Sequence, residues 1–145
     1  MIAGDEERRE IEGLLAPRPG EEVRIAVVGA SADPDKYGNI IVRNLKGKDL
    51  YTLWPVNPRE ERIEGLPVYR SLADLPGRPE IVNVVTPPRV SLQVLEEAER
   101  LGCERIWFQE GSFDDKVLER LEELSIRGVH GACIMVAAAR AAPGR

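Results

Sequence analysis

Apolar positions along the chain keep two rhythms. Short, nearly continuous runs rich in Val and Ile alternate with longer stretches in which apolar residues recur every three or four positions. The first kind reads as strand buried on both faces, the second as amphipathic helix. Asp5 to Leu15 sets Ile11, Leu14 and Leu15 among charges, a short helix ended by Pro17, Pro19 and Gly20. Val23 to Val28 predicts a first strand that stops at Gly29. Ile40, Ile41, Val42 and Leu45 fall on one helix face, closed by Gly47. Leu50 to Val56 predicts a second strand, halted by Asn57-Pro58 and followed by a charged connection from Arg59 to Gly65. Leu66 to Tyr69 reads as extended, with Ser71 as N-cap of a short turn over Leu72 to Leu75.

Ile81 to Val85 predicts a third strand, stopped by Thr86-Pro87-Pro88. A helix follows over Val90 to Leu101, with Gly102 beyond it. Glu104 to Phe108 predicts a fourth strand, ending in Gln109-Glu110-Gly111. Ser112 then heads a helix with Asp114 and Asp115 near its start, where the helix dipole favours acids, and with Val117, Leu118, Leu121 and Leu124 as its apolar stripe. A last strand is expected within Val129 to Val136, and residues 137–145 read as a frayed helix or a disordered tail.

Strands alternating with helices predict an α/β fold: a Rossmann-like, doubly wound, five-stranded parallel sheet covered on both faces. Right-handed crossovers favour the order 3-2-1-4-5. With 145 residues, one domain is expected, with its core over 23–136.

Composition narrows the partners. A net charge of −5 argues against bulk binding of nucleic acid or an anionic membrane. No apolar run reaches the ~18 residues of a membrane span, and the acidic start from Met1 to Glu10 is unlike a secretory leader. Cys103 and Cys133 form no close pair, so the expectation is free thiols in a reducing cytoplasm. A phosphate-bearing ligand would have to be held by local donors.

Those donors have a natural place. In doubly wound sheets, ligands bind beyond the carboxyl ends of the strands, near the point where strand order reverses. Four stretches converge there: Gly29-Ala30-Ser31, Asn57-Pro58, Thr86-Pro87 and Gln109-Glu110-Gly111. Gly29 lets a phosphate approach the backbone. The amides around Ala30 and Ser31, and those opening a helix near Gly38, supply partial positive charge, with Lys36 and the Ser31 hydroxyl beside them. Such a glycine also serves a purely conformational turn, as Pro87-Pro88 serves a rigid helix start, Gly111 a turn and Glu110 a solvated loop. The dinucleotide fingerprint G-x-G-x-x-G is absent, since position 31 is Ser and position 34 is Pro. The second strand lacks a terminal acid for a free ribose diol and runs instead into Arg59. A cation without a carboxylate suits a phosphorylated ribose, as in coenzyme A or NADP.

The segment Gly29 to Gly38, including Lys36-Tyr37-Gly38, is followed in order by Pro55-Val56-Asn57-Pro58, Gly65-Leu66-Pro67-Val68-Tyr69, Trp107 to Gly111 and Cys133-Ile134. With these motifs the chain resembles the small stand-alone CoA-binding proteins, which are similar to the N-terminal domain of the succinyl-CoA synthetase α subunit. The resemblance runs from about Val23 to Val136. It implies coenzyme A or an acyl-CoA as ligand, with phosphates at Gly29 to Ser31 and Lys36 to Gly38. Asn57-Pro58 would flank the nucleotide, Arg59 would meet the ribose phosphate, and Thr86-Pro87 and Gln109-Glu110-Gly111 would line adenine or pantetheine. Two departures stand out. Gly131-Ala132 precede Cys133 where the family often has a polar residue. The synthetase domain that carries the phosphohistidine has no counterpart in this sequence.

No catalytic set is expected. His130, the single histidine, reads as a strand-end residue without a paired carboxylate. Cys133 reads as a small buried side chain, with thiol exchange with CoA as the alternative. One His and two distant Cys give no metal set. The leading expectation is a non-catalytic carrier, sensor or partner module with a possible protein partner. The alternatives are an NAD(P)(H)-binding regulatory domain, or an acyl-CoA synthetase subunit that needs a second chain.

Overall fold

The computed structural model describes residues 5–141. Seven strands and five helices follow in order: α1 (Asp5–Leu15), β1 (Val23–Val28), α2 (Tyr37–Gly47), β2 (Tyr51–Val56), β3 (Arg62–Ile63), β4 (Leu66–Pro67), β5 (Ile81–Val84), α3 (Pro88–Arg100), β6 (Arg105–Phe108), α4 (Asp115–Glu123), β7 (Arg127–His130) and α5 (Ile134–Ala141). A single 3-10 turn, Leu72–Asp74, precedes β5, with Ser71 at its N-cap.

Five strands form one parallel sheet in the order β2-β1-β5-β6-β7. Outside β2, Tyr69 makes a parallel bridge to Val56. The expected doubly wound reversal about β1 is present, but the strand predicted as third, β5, pairs directly with β1, and the place outside β2 is taken by the extended piece at Tyr69. Pro55 fits within β2 because its carbonyl accepts from Tyr69 N–H on the outer side, so the missing N–H takes no bond from β1.

The pleat sorts the strands' side chains between two cores. Ile25, Val27, Leu53, Ile81 and Trp107 pack with Leu15, Ile41, Leu45, Ile134 and Ala138, placing α1, α2 and α5 on one face. Ala26, Val28, Val82, Val84, Ile106 and Phe108 pack with Val94, Leu95, Ala98 and Val117, placing α3 and α4 on the other. Both faces are covered, which accounts for the near-continuous apolar strands.

Several features differ from the sequence expectation. The last strand is Arg127–His130, and the apolar run at Ile134 opens helix α5. The run belongs to a helical stripe, since Ile134, Ala137 and Ala138 are buried while Val136 is exposed. Leu121 of α4 lies over Gly128, where a Cβ would stand 2.2 Å from its side chain. Residues 137–141 continue α5, and 142–145 lie outside the described residues, as do 1–4. The cap of α4 is Asp114, whose carboxylate accepts from Val117 N–H at 3.0 Å, while Ser112 belongs to the preceding turn. Ile40 lies outside the buried face of α2, and the connection from Arg59 to Gly65 holds β3, which pairs antiparallel with β4. Among the described residues no helix is long and apolar enough to cross a membrane.

Helix α1 is tied to the amino edge of the sheet. Glu10 accepts from Arg105 Nη2 at 3.0 Å and pairs with Arg127, while Tyr51 Oη donates to the Leu15 carbonyl at 2.6 Å. Burial works to raise the Glu10 pKa, but the hydrogen bonds and charges of the two arginines outweigh it and hold the carboxyl below its ordinary value. A depressed folded-state pKa contributes stability above the unfolded pKa and loses it as pH falls through the folded one. Wild type is therefore expected to lose more stability than Glu10→Gln between about pH 5 and pH 3. Urea midpoints at the two pH values check this, and equal losses would contradict it.

Candidate functional site

The carboxyl edge of the sheet is built around a backbone-to-backbone contact. At the end of β1 the chain turns at Gly29, whose φ is +94°. A Cβ there would lie 2.9 Å from Val85 Cγ2 and 3.0 Å from Thr86 Cγ2. The first turn of α2 then comes down on this bend. A Cβ on Gly38 would stand 2.2 Å from the Gly29 carbonyl oxygen and 3.0 Å from Ala30 Cα. Two glycines nine residues apart thus allow helix and strand to meet without side chains between them.

Between them the loop is held by its own short side chains. Asp33 N–H donates to Ser31 Oγ at 3.0 Å, and Asp35 N–H to Asp33 Oδ1 at 3.0 Å. Lys36 is the N-cap of α2 and offers no side-chain cap. Among the described residues, the N–H groups of Ala30, Ser31, Tyr37 and Gly38 have no acceptor. Lys36 and Arg59 are exposed and have no carboxylate partner among the described residues.

Side-chain amides join the neighbouring loops. Asn57 Nδ2 donates to the Ala30 carbonyl at 2.8 Å, and its Oδ1 accepts from Arg59 N–H at 2.7 Å and Glu60 N–H at 3.2 Å. Asn57 is thereby a clamp between loops, with Pro58 and Arg59 carried outward on the turn it closes. Asn39, fully buried on α2, donates to the Ser31 carbonyl at 2.9 Å and to Glu64 at 3.1 Å, tying the β3–β4 hairpin to the first loop. Thr86 shares a hydroxyl contact of 2.8 Å with Ser91, and Pro87 is the N-cap of α3.

At the far end of the edge, Gln109 is buried and central. It donates to Asn83 Oδ1 at 2.7 Å, and its own oxygen accepts from Tyr37 Oη at 3.4 Å and Ile134 N–H at 3.3 Å. Glu110 is exposed, and Gly111 completes a turn closed by Ser112 N–H on the Gln109 carbonyl at 3.0 Å. Tyr37 Oη also lies 3.6 Å from Cys133 Sγ. Burial, followed by the Cys133 contact, pushes the Tyr37 pKa up to about 12, so its hydroxyl remains protonated at neutral pH. Tyr37, Gln109, Glu110, Gly131, Ala132 and Cys133 line an open cavity of about 170 Å³.

The fold therefore gathers the four loops named from the sequence along one edge. Gly131-Ala132, Asn39 and Asn83 were not among the residues singled out there for ligand contact, and Cys133 was weighed only for thiol exchange with CoA. Gly131-Ala132-Cys133 reach the cavity because α5 is a helix starting beside it. Asn39 and Asn83 are the buried polar residues that organise the loops. Asn83 carried a visible signal as the single polar residue in an apolar strand, Ile81–Val84. His130 ends β7 with its ring 5.1 Å from Phe113, and burial lowers its pKa. Among the described residues no cluster of three or more His, Cys, Asp or Glu side chains could hold a metal ion.

The profile of a CoA binding domain matches residues 23–139. The chain is 37% identical over 82 residues to the alpha subunit of an ADP-forming acetate–CoA ligase II of Pyrococcus furiosus, covering 57% of this chain and 18% of the ligase subunit. It spans less than a fifth of that relative's length. It is also 30% identical over 114 residues to the protein YneT of Bacillus subtilis, covering 79% of this chain and 84% of that one. A solved structure of a conserved hypothetical protein from Pyrococcus furiosus superposes with a TM-score of 0.75 and 43% identity, covering 79% of this chain and 97% of the other. The glycine-built edge, its open amides and these similarities agree, and the chain belongs to the CoA-binding domain family.

Proposed function

We propose that the carboxyl edge of the sheet binds coenzyme A or an acyl-CoA, and that the chain acts as a carrier, sensor or presenting module rather than as a catalyst. The observation that carries this reading is the Gly29–Gly38 contact, which leaves four backbone N–H groups without acceptors beside an uncompensated Lys36. Such a cluster of amides at a helix start suits a diphosphate. Arg59, exposed at the end of β2, is the candidate partner of the ribose phosphate.

The non-catalytic part of the reading rests on the cavity's chemistry. Its hydroxyl belongs to Tyr37, protonated at neutral pH, and His130 is not among its lining residues. The similarity to a ligase alpha subunit supports a protein partner to which bound CoA is presented. Free Cys103 and Cys133 fit a reducing compartment such as the cytoplasm.

Thermal unfolding with added ligand tests the reading. CoA at about 100 times its dissociation constant should stabilise the fold by about 2.7 kcal/mol. NADH and NADPH should leave the midpoint in place, and dephospho-CoA should bind more weakly than CoA through loss of the Arg59 contact. A shift with NADH and none with CoA would reverse the assignment.

A further inference from the structure

The cavity beyond Gln109 carries information about what the bound CoA would bear on its sulfur. We infer that this cavity selects a short, uncharged acyl group and disfavours acyl groups ending in a carboxylate. The inference rests on CoA binding at this edge and concerns its far end.

Orientation follows from charge. Lys36 and Arg59, exposed and without a carboxylate partner among the described residues, follow β1 and β2, and the open amides lie over β1. Phosphates held there leave the rest of the ligand to run along the sheet edge, past β5 to β6. Neighbouring strands are about 4.8 Å apart, so β6 lies about 10 Å from β1, within reach of an extended pantetheine arm. The cavity sits at that point, and Tyr37 belongs to both places: its backbone opens α2 at the phosphate end, and its hydroxyl faces Gln109 and Cys133 at the other.

The lining then sets the choice. At about 170 Å³ the space is close to that of an engineered cavity that holds one benzene ring, enough for a thioester and a few carbons. The Tyr37 hydroxyl, held to Gln109 Oε1 by a long 3.4 Å contact, can serve the thioester carbonyl only by turning its one proton away from Gln109. Gly131, Ala132 and Cys133 present small surfaces. Among the described residues, Glu110 is the single charged one in the lining and no lysine or arginine joins it. A second carboxylate placed there would face a like charge with no compensating cation, an arrangement that acts against the wrong ligand.

Isothermal titration of the full chain with CoA, acetyl-CoA, succinyl-CoA and octanoyl-CoA tests this, using wild type, Glu110→Gln and Glu110→Lys. The ratio of succinyl-CoA to acetyl-CoA dissociation constants is read within each variant, so any change in binding of the shared CoA part cancels. About ten is expected for wild type, falling in Glu110→Gln and reaching one or less in Glu110→Lys. Octanoyl-CoA should bind no tighter than CoA itself. A wild-type ratio near one, a ratio unmoved by Glu110→Lys, or tighter binding of octanoyl-CoA than of CoA would overturn the inference while leaving CoA binding intact. Failure of all four ligands to bind would instead refute the CoA reading.

Discussion

Replacing Gly38 by alanine is expected to destabilise the protein by at least about 3 kcal/mol, the largest single-methyl effect the structure predicts. The added carbon would stand 2.2 Å from the Gly29 carbonyl oxygen, and no rotamer can relieve a clash between two backbones. Relief requires α2 to lift from β1. That movement would open the core layer formed by Ile41, Val42 and Leu45 against Ile25 and Val27, all buried. Gly47→Ala, at the other end of the same helix, meets nothing within 4 Å and is expected to gain up to about 1 kcal/mol from helix propensity. Urea unfolding of the two variants checks the contrast. A Gly38→Ala loss as small as an ordinary surface change would mean that helix and strand are not in contact there.

Gly29→Val is expected to abolish CoA binding, with affinity down by more than about 100-fold, and to destabilise the fold by about 2 to 4 kcal/mol. Two separate costs meet at this position. A φ of +94° is foreign to a β-branched residue, and the new Cβ would press on Val85 and Thr86 at about the 3 Å separations noted above. The altered bend would carry Ala30 and Ser31, with their free amides, out of place for a diphosphate. Titration at a temperature where circular dichroism shows a folded variant separates the two effects. CoA affinity kept within a few-fold of wild type would place the phosphates away from this turn.

Much of this edge was legible in the residues. The Val- and Ile-rich runs marked the strands because a parallel sheet buried on both faces admits little else. Loops at their carboxyl ends followed from topology, and Gly29, Asn57, Thr86 and Gln109 do meet along one edge. The run Ile134-Met135-Val136 misled because three apolar residues fit a strand as well as a helix turn, and only burial of Ala137 and Ala138 on the same side decides between them. Ser112 and Asp114 are both good cap residues, and choosing between them depended on which one reaches Val117 N–H.

The roles of individual polar residues were harder to read. Asn57 looked like a ligand contact, yet its side chain is engaged in binding Ala30, Arg59 and Glu60. Asn39, Asn83 and Gln109 link positions up to 72 residues apart through Tyr37. No local pattern encodes such partners.

By itself the sequence determined the order of strands and helices, the doubly wound class and the loops at which a phosphate-bearing ligand would be met. These depend on periodicity and on the backbone freedom of a few residues, which are properties of neighbours along the chain. The tertiary structure alone decided that Gly38 is pressed against Gly29, that α5 brings Cys133 to Tyr37, and that Glu110 is the one charge among the described residues lining the far cavity. Those facts are distances between residues remote in sequence, fixed only when two packed cores hold both faces of the sheet at once.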